Sequence, residues 1–249
     1  MSTSTTREFH SKQRVTVITE SGKHTGPGYV LVHGIGMGHR YWSALADELG
    51  KTGRVYALDL PGFGDAPEPP EPLDMRASGD LLAELVTAER IEHPVLIGHS
   101  MGTQIVVEAA ARHPEVSDCI VLIAPTVNAS ERTVHQQAWR MLQDLVHAKP
   151  RVLLVGLVYY VKTGPRWYIK KLRTMMAHRV ESTMPHIRAR TLVIRGENDG
   201  VCPRDWVRRV ATIIPHADMR EVAGRGHETM ITGAEPVAKL IVRHVAGRL

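Results

Sequence analysis

Cysteine is scarce. Cys119 and Cys202 are the only two in 249 residues, and they match no metal-ligand spacing, so neither a disulfide framework nor a metal centre is expected. They read as two reduced thiols of a cytosolic chain. Long apolar runs are missing as well. The longest, Val152 to Val161, is about half of what spanning a bilayer requires, so no transmembrane segment is expected. Met1 to Thr6 are rich in Ser and Thr and lack the apolar stretch of a secretory signal. Both features point to the cytoplasm. No P-loop occurs, and His33-Gly34-Ile35-Gly36-Met37-Gly38, although glycine-rich, does not open a dinucleotide fingerprint with its later acidic residue. No cofactor, no nucleic-acid partner and no internal repeat are expected.

What remains is ordinary soluble-domain composition, 43% hydrophobic and 23% charged, at a length that suits one well-buried domain. The formal net charge of +5 is unevenly spread. Between Ala148 and Arg195, eleven Lys or Arg residues face one acidic residue, Glu181, which leaves the rest of the chain net acidic. A basic block of this kind marks either a solvated helical surface or an anionic ligand.

Short β-branched runs alternate with segments of helical period, the pattern of an α/β fold with a mostly parallel central sheet flanked by helices. Strands are expected at Arg14 to Glu20, Tyr29 to Val32, Arg54 to Leu60, Pro94 to Gly98, Asp118 to Ala124, Thr191 to Arg195 and Asp218 to Val222. Helices are expected at Tyr41 to Leu49, Ser78 to Glu89, Gln104 to His113, Asp205 to Ile213 and Pro236 to Val245. Four prolines make Asp65 to Asp74 an extended loop. Residues 126–188 show helical patches without strand alternation. The expected organisation is a core of residues 1–125 and 189–249, with 126–188 as a small helical lid or cap.

Gly98-His99-Ser100-Met101-Gly102 fits G-x-S-x-G between an apolar strand and a helix. A serine on such a tight turn has its Oγ aimed above the sheet, and the first N–H groups of the helix are left unpaired beside it. Reading the same residues as a simple Ser-Gly helix cap would leave the other signals unexplained. A serine hydroxyl needs a base, and the base needs a third group to fix its tautomer. Of fourteen histidines, His227 follows the last strand inside the Gly-rich run Gly224-Arg225-Gly226. Such a loop can carry an imidazole across to the elbow. His33 and His99 sit beside turns and suit packing or loop hydrogen bonding, His10, His24 and His39 suit loops, and His216 and His244 suit the surface. The loop after Thr191 to Arg195 offers two acids, Glu197 and Asp199, while Asp205 reads as the cap of the next helix.

Together, His33-Gly34-Ile35-Gly36, Asp59-Leu60-Pro61-Gly62-Phe63-Gly64, the elbow, Gly196-Glu197-Asn198-Asp199 and Gly226-His227 resemble the α/β-hydrolase fold over nearly the whole chain. Their order also matches, with nucleophile, acid and histidine following one another. The resemblance implies Ser100 as nucleophile, Asp199 as orienting acid and His227 as general base. It also implies an oxyanion hole from the backbone N–H groups of Met101 and Ile35, with Gly36 as the alternative to Ile35. His33, Gly34, Gly36, His99, Trp139, Leu157 and Tyr160 are expected to line the substrate pocket. Serine as nucleophile argues against the dehalogenases and epoxide hydrolases of this fold, which use a carboxylate. Gly36-Met37-Gly38 and Glu228-Thr229-Met230 depart from the Gly-Pro-Gly and the tryptophan after histidine usual in carbon–carbon bond hydrolases.

The expected function is hydrolysis of a carboxylic ester, lactone or thioester through an acyl-enzyme. The alternatives are a C–C bond hydrolase, lyase or acyl transferase using the same groups, or a ligand-sensing family member. The expected partner is a small-molecule substrate with a mainly apolar acyl part, with a distal negative charge as a further expectation from the basic block. Monomer and homodimer both stay open.

Overall fold

The computed structural model describes residues 4–133, 136, 158–159 and 161–248. Eight strands form one sheet: β1 (Thr5–Ser11), β2 (Arg14–Gly22), β3 (Gly28–Val32), β4 (Arg54–Asp59), β5 (Pro94–His99), β6 (Cys119–Ile123), β7 (Arg190–Gly196) and β8 (Ala217–Val222). Their spatial order is β1-β2-β4-β3-β5-β6-β7-β8. The β1–β2 and β2–β4 pairs are antiparallel, and every other pair is parallel. The strands β3 and β6 are buried at every position, as strands covered on both faces must be, and their Val, Ile and Leu side chains form the core. At about 1.5–3 kcal/mol per buried aliphatic side chain, this central block dominates the stabilisation.

Flanking the sheet are α1 (Ser43–Leu49), α2 (Met75–Ala88), α3 (Met101–Arg112), α4 (Pro165–Ala177), α5 (Val180–Thr183), α6 (Arg204–Ile213), α7 (Thr229–Thr232) and α8 (Ala234–Val245). One pair of helices is α1 with α8, and another is α2 with α3. From β3 the chain steps to β4 on one side, then crosses back to β5 on the other. The carboxyl ends of β3 and β5 therefore lie side by side where the connections diverge, which is where open parallel sheets form their crevice.

Several local expectations change. The strand β1 adds a hairpin with β2 that the apolar pattern does not reveal, because only Phe9 and Ser11 of its seven residues are buried. His10 lies on this strand, not in a loop. The helix α2 starts three residues earlier than Ser78 because the Asp74 side chain accepts the Ala77 N–H at 2.7 Å. Asp205 does not cap α6. Pro203 holds that position, and Asp205 stands in the first turn with an exposed carboxylate. His244 is buried, its Nε2 bonded to the Arg190 carbonyl at 3.2 Å.

From α4, Trp167 and Met175 enter the core, and Tyr168 and Lys171 reach the loops beside it. Trp167 is buried against Gly62, where an added Cβ would sit 2.2 Å from the indole nitrogen. Tyr168 crosses Gly36 in the same way. Lys171, only 4% exposed, donates to the Leu73 carbonyl at 2.7 Å and to Ser78 Oγ at 3.2 Å. Burial pushes its ammonium pKa down to about 8, and Asp74 opposes this only in part. An unfolded lysine stays protonated to about 10.4, so the folded chain binds fewer protons between the two values and stability rises with pH across that window. Below pH 8 the charged form costs the fold roughly 3 kcal/mol. Lys171→Met is therefore expected to raise stability at pH 7 by about 1–2 kcal/mol after loss of its hydrogen bonds. The gain should vanish by about pH 10 in urea denaturation. A variant less stable than the parent at pH 7 would contradict this.

Candidate active site

The elbow is built by close approach. An added Cβ at Gly98 would lie 2.5 Å from the Gly102 carbonyl oxygen, and one at Gly102 would lie 2.1 Å from that of Val32. Only glycine lets β5 turn into α3 so sharply, with the helix tip against the end of β3. Between them Ser100 takes φ +52, and Thr103 returns both its N–H and its Oγ1 to the Ser100 carbonyl at 3.0 and 2.6 Å. A positive φ on a non-glycine residue is strain held by the surrounding packing. Met101 opens α3, so its N–H is one of the helix-start donors that have no carbonyl one turn back within the helix.

The loop after β3 passes directly over this turn. A Cβ on Gly34 would lie 3.1 Å from His99 Nδ1 and 3.2 Å from Ser100 Cβ, which brings Ile35 and Gly36 alongside the elbow. His33 is fully buried. Its Nδ1–H donates to the Gly34 carbonyl at 2.7 Å and its Nε2 accepts the Leu60 N–H at 3.1 Å, so the loops after β3 and β4 are pinned together. Burial lowers its pKa, and the ring stays neutral. Beneath these loops Asp59 accepts the His39 N–H at 2.5 Å, His39 Nδ1–H at 2.8 Å and the Asp65 N–H at 2.9 Å. Burial alone would raise the Asp59 pKa, but these donors outweigh it and hold the carboxyl ionised. Gly64 has no Cβ because one would sit 2.1 Å from Asp59 Oδ1.

The loops after β7 and β8 bring Asp199 and His227 together. His227 Nδ1–H donates to Asp199, with Oδ2 at 3.1 Å and Oδ1 at 3.3 Å. Oδ1 also accepts the N–H groups of Val201 and Cys202 at 2.9 and 2.8 Å. The carboxylate is only 3% exposed at residue level, so these donors replace its water. Glu197, the other acid of the loop, turns away and accepts the Gly224 N–H at 2.8 Å. His227 is tied to the elbow through its neighbour: His99 Nε2–H donates to the His227 carbonyl at 3.1 Å, and the two rings stand 4.8 Å apart. Burial, followed by the nearby His227, drives the His99 pKa well below the usual value, so it serves as a neutral donor. Ser100, Asp199 and His227 are all buried in loops at the carboxyl edge of the sheet.

Among the expected pocket residues, His33, Gly34, Gly36 and His99 gather at the elbow. Trp139, Leu157 and Tyr160 lie outside the described residues, as does most of the run Val152 to Val161. Sequence reasoning missed two neighbours. Cys202 has its Sγ 4.0 Å from His227 Nδ1. Arg195, buried by its pairing with Glu221, donates to the carbonyls of Cys202 at 3.2 Å and Asp199 at 3.0 Å. A buried arginine at the end of β7 was visible only as part of the basic block.

The model of the alpha/beta hydrolase family matches residues 29–240 of this chain. An AB hydrolase superfamily protein of Bacillus subtilis, YisY, is 24% identical over 94% of this chain and 96% of its own. A pimeloyl-[acyl-carrier protein] methyl ester esterase of Chromobacterium violaceum is 27% identical over 80% of this chain and 71% of its own. Among solved structures, the enol-lactonase of Burkholderia xenovorans superposes with a TM-score of 0.82 at 22% identity, covering 96% of this chain and 100% of that one. The shared fold, with the family match running from β3 into α8, makes this chain a hydrolase of the alpha/beta hydrolase family.

Proposed function

We propose that the chain is a serine hydrolase that cleaves a carboxylic ester, lactone or thioester through an acyl-enzyme. Ser100 is the nucleophile, His227 the general base and Asp199 the acid that orients it. The observation that carries this reading is the short contact of His227 Nδ1 with the Asp199 carboxylate, which as an ionised acid can only accept and so assigns the proton to Nδ1. Because Nδ1–H is committed to Asp199, the lone pair is left on Nε2, and Nε2 takes the Ser100 proton as Oγ attacks the carbonyl carbon. The oxyanion that forms is received by the N–H groups of Met101 and Ile35, each worth about 3 kcal/mol in comparable sites. His227 then returns the proton to the leaving group, and water repeats the cycle on the acyl-enzyme.

Residues 126–188 act as the lid. The packing of Trp167, Tyr168 and Lys171 over the loops after β3 and β4 supports this division of the chain. The substrate's acyl part is mainly apolar. The basic block supports a distal negative charge less strongly than its count suggests, since several of its members have structural partners. Lys162 pairs with Asp65, Lys171 is buried, Arg195 pairs with Glu221 and Arg190 donates to the His244 carbonyl.

The test is a panel of p-nitrophenyl acyl esters, thioesters, lactones and a vinylogous diketone, at low and high salt. Turnover of at least one acyl substrate, with none of the diketone, is expected. Cleavage of the diketone alone would replace this reading with C–C hydrolysis. A salt-sensitive preference for charged over neutral esters would support the anionic substrate, and equal kcat/KM values would remove it.

A further inference from the structure

A thiol stands beside the acid–histidine pair, and the proposed mechanism has no use for it. Asp199, Cys202 and His227 are all buried, and one ligand atom from each lies within 4.8 Å of the other two. From this cluster we infer a latent inhibitory site for a thiophilic divalent cation, with zinc as the natural ion, formed by Asp199 carboxylate, Cys202 Sγ and His227 Nδ1. The inference rests on His227 being the general base.

The donor set is that of zinc, which takes sulfur, imidazole nitrogen and carboxylate oxygen in a tetrahedron at about 2.0–2.3 Å. Tetrahedral ligands at those lengths stand roughly 3.4–3.7 Å apart. Sγ and Nδ1 are 4.0 Å apart, Nδ1 and Oδ2 3.1 Å apart, and all three ligand atoms lie within 4.8 Å of one another, so closing on an ion takes side-chain shifts of up to about 1 Å. The loop is already held in place. Arg195 clamps the carbonyls of Asp199 and Cys202, and the Val201 and Cys202 amides fix the carboxylate. In the two loops that carry these residues, Gly200 and Gly224 border open space. Charge also balances, because a thiolate and a carboxylate neutralise a dication out of water.

The proton balance shows why the ion would inhibit. Cys202 loses its thiol proton to solvent. The imidazole stays neutral, but its proton moves from Nδ1 to Nε2 as Nδ1 becomes a ligand. Nε2 then bears a hydrogen and cannot take one from Ser100. One proton is released per ion bound, so the apparent affinity rises about tenfold per pH unit while the free thiol is protonated.

The experiment uses untagged full-length protein and two probes. Zn²⁺ is titrated against ester turnover with a chelator as reversal. Co²⁺ is titrated against the near-ultraviolet thiolate-to-metal absorption in Ser100→Ala, which reports the site without turnover. Expected are chelator-reversible inhibition that tightens with pH, and a thiolate band in Ser100→Ala that survives Cys119→Ala. Adding Cys202→Ala or Cys202→Ser should abolish the band. In the Ser100 background the same Cys202 changes should bring the zinc-treated rate to within about twofold of the untreated rate of that variant. Absence of the thiolate band, or a band that persists without Cys202, overturns the site. A Cys202-dependent band in a protein that turns over no acyl substrate would keep the metal site and overturn the hydrolase reading instead.

Discussion

Ser100→Ala should lower kcat/KM for a p-nitrophenyl acyl ester by about 10⁴- to 10⁶-fold, the range seen when a nucleophile is removed from a serine triad. The fold should survive. Alanine at φ +52 carries the same backbone strain as serine, and the bonds that hold the turn come from Thr103 and from the Ile123 carbonyl that receives the Ser100 N–H, not from Oγ. Circular dichroism and Tm close to those of the parent are the matching expectation. Activity within tenfold of the parent, measured on freshly purified variant, would remove Ser100 from the chemistry.

Asp199→Asn is the second large effect, with an expected loss of about 10⁴-fold in kcat. The hydrogen bonds dictate how the asparagine would sit. Oδ1 receives two backbone N–H groups, from Val201 and Cys202, so the amide oxygen must occupy that place. The amide NH₂ then falls where Oδ2 stands, 3.1 Å from His227 Nδ1. Two donors cannot face each other. The imidazole must move its proton to Nε2, which is the wrong tautomer for accepting one from Ser100. Glu197→Gln is the control, since the Glu197 carboxylate accepts the Gly224 N–H, away from the Asp199–His227 pair. Its kcat should stay within about threefold of the parent. Equal losses in the two variants would mean that the damage is to loop structure, not to tautomer control.

These effects trace back to features that were partly legible in the residues. The strands of the sheet centre could be read because a parallel strand buried on both faces must be apolar throughout, as Tyr29 to Val32 and Cys119 to Ile123 are. The elbow could be read because two glycines flank a serine where no side chain fits. What escaped was set by tertiary contacts. The strand β1 alternates in burial from Arg7 to Ser11, but Phe9 is its one apolar side chain, so the sequence shows no apolar alternation there. Lys171 lies in a basic stretch that reads as solvated surface, yet it is buried on a carbonyl and a hydroxyl nearly a hundred residues away. The Asp205 cap failed because Pro203 preceded it with a backbone already suited to helix entry. Cys202 matched no ligand spacing, and only the meeting of the loops after β7 and β8 brings it to His227, 25 residues on.

The family assignment and the chemistry stand on different ground. The fold follows from the sheet order and the match over residues 29–240. The chemistry depends on a hydroxyl being activated by one imidazole, which a fluorophosphonate reports directly because it phosphonylates only an activated serine. Intact-mass and peptide mapping after labelling should find one adduct per chain, on Ser100, with labelling slowed at least about a hundredfold in His227→Ala. No adduct on folded protein, or an adduct on another serine at the same rate with and without His227, would contradict the account.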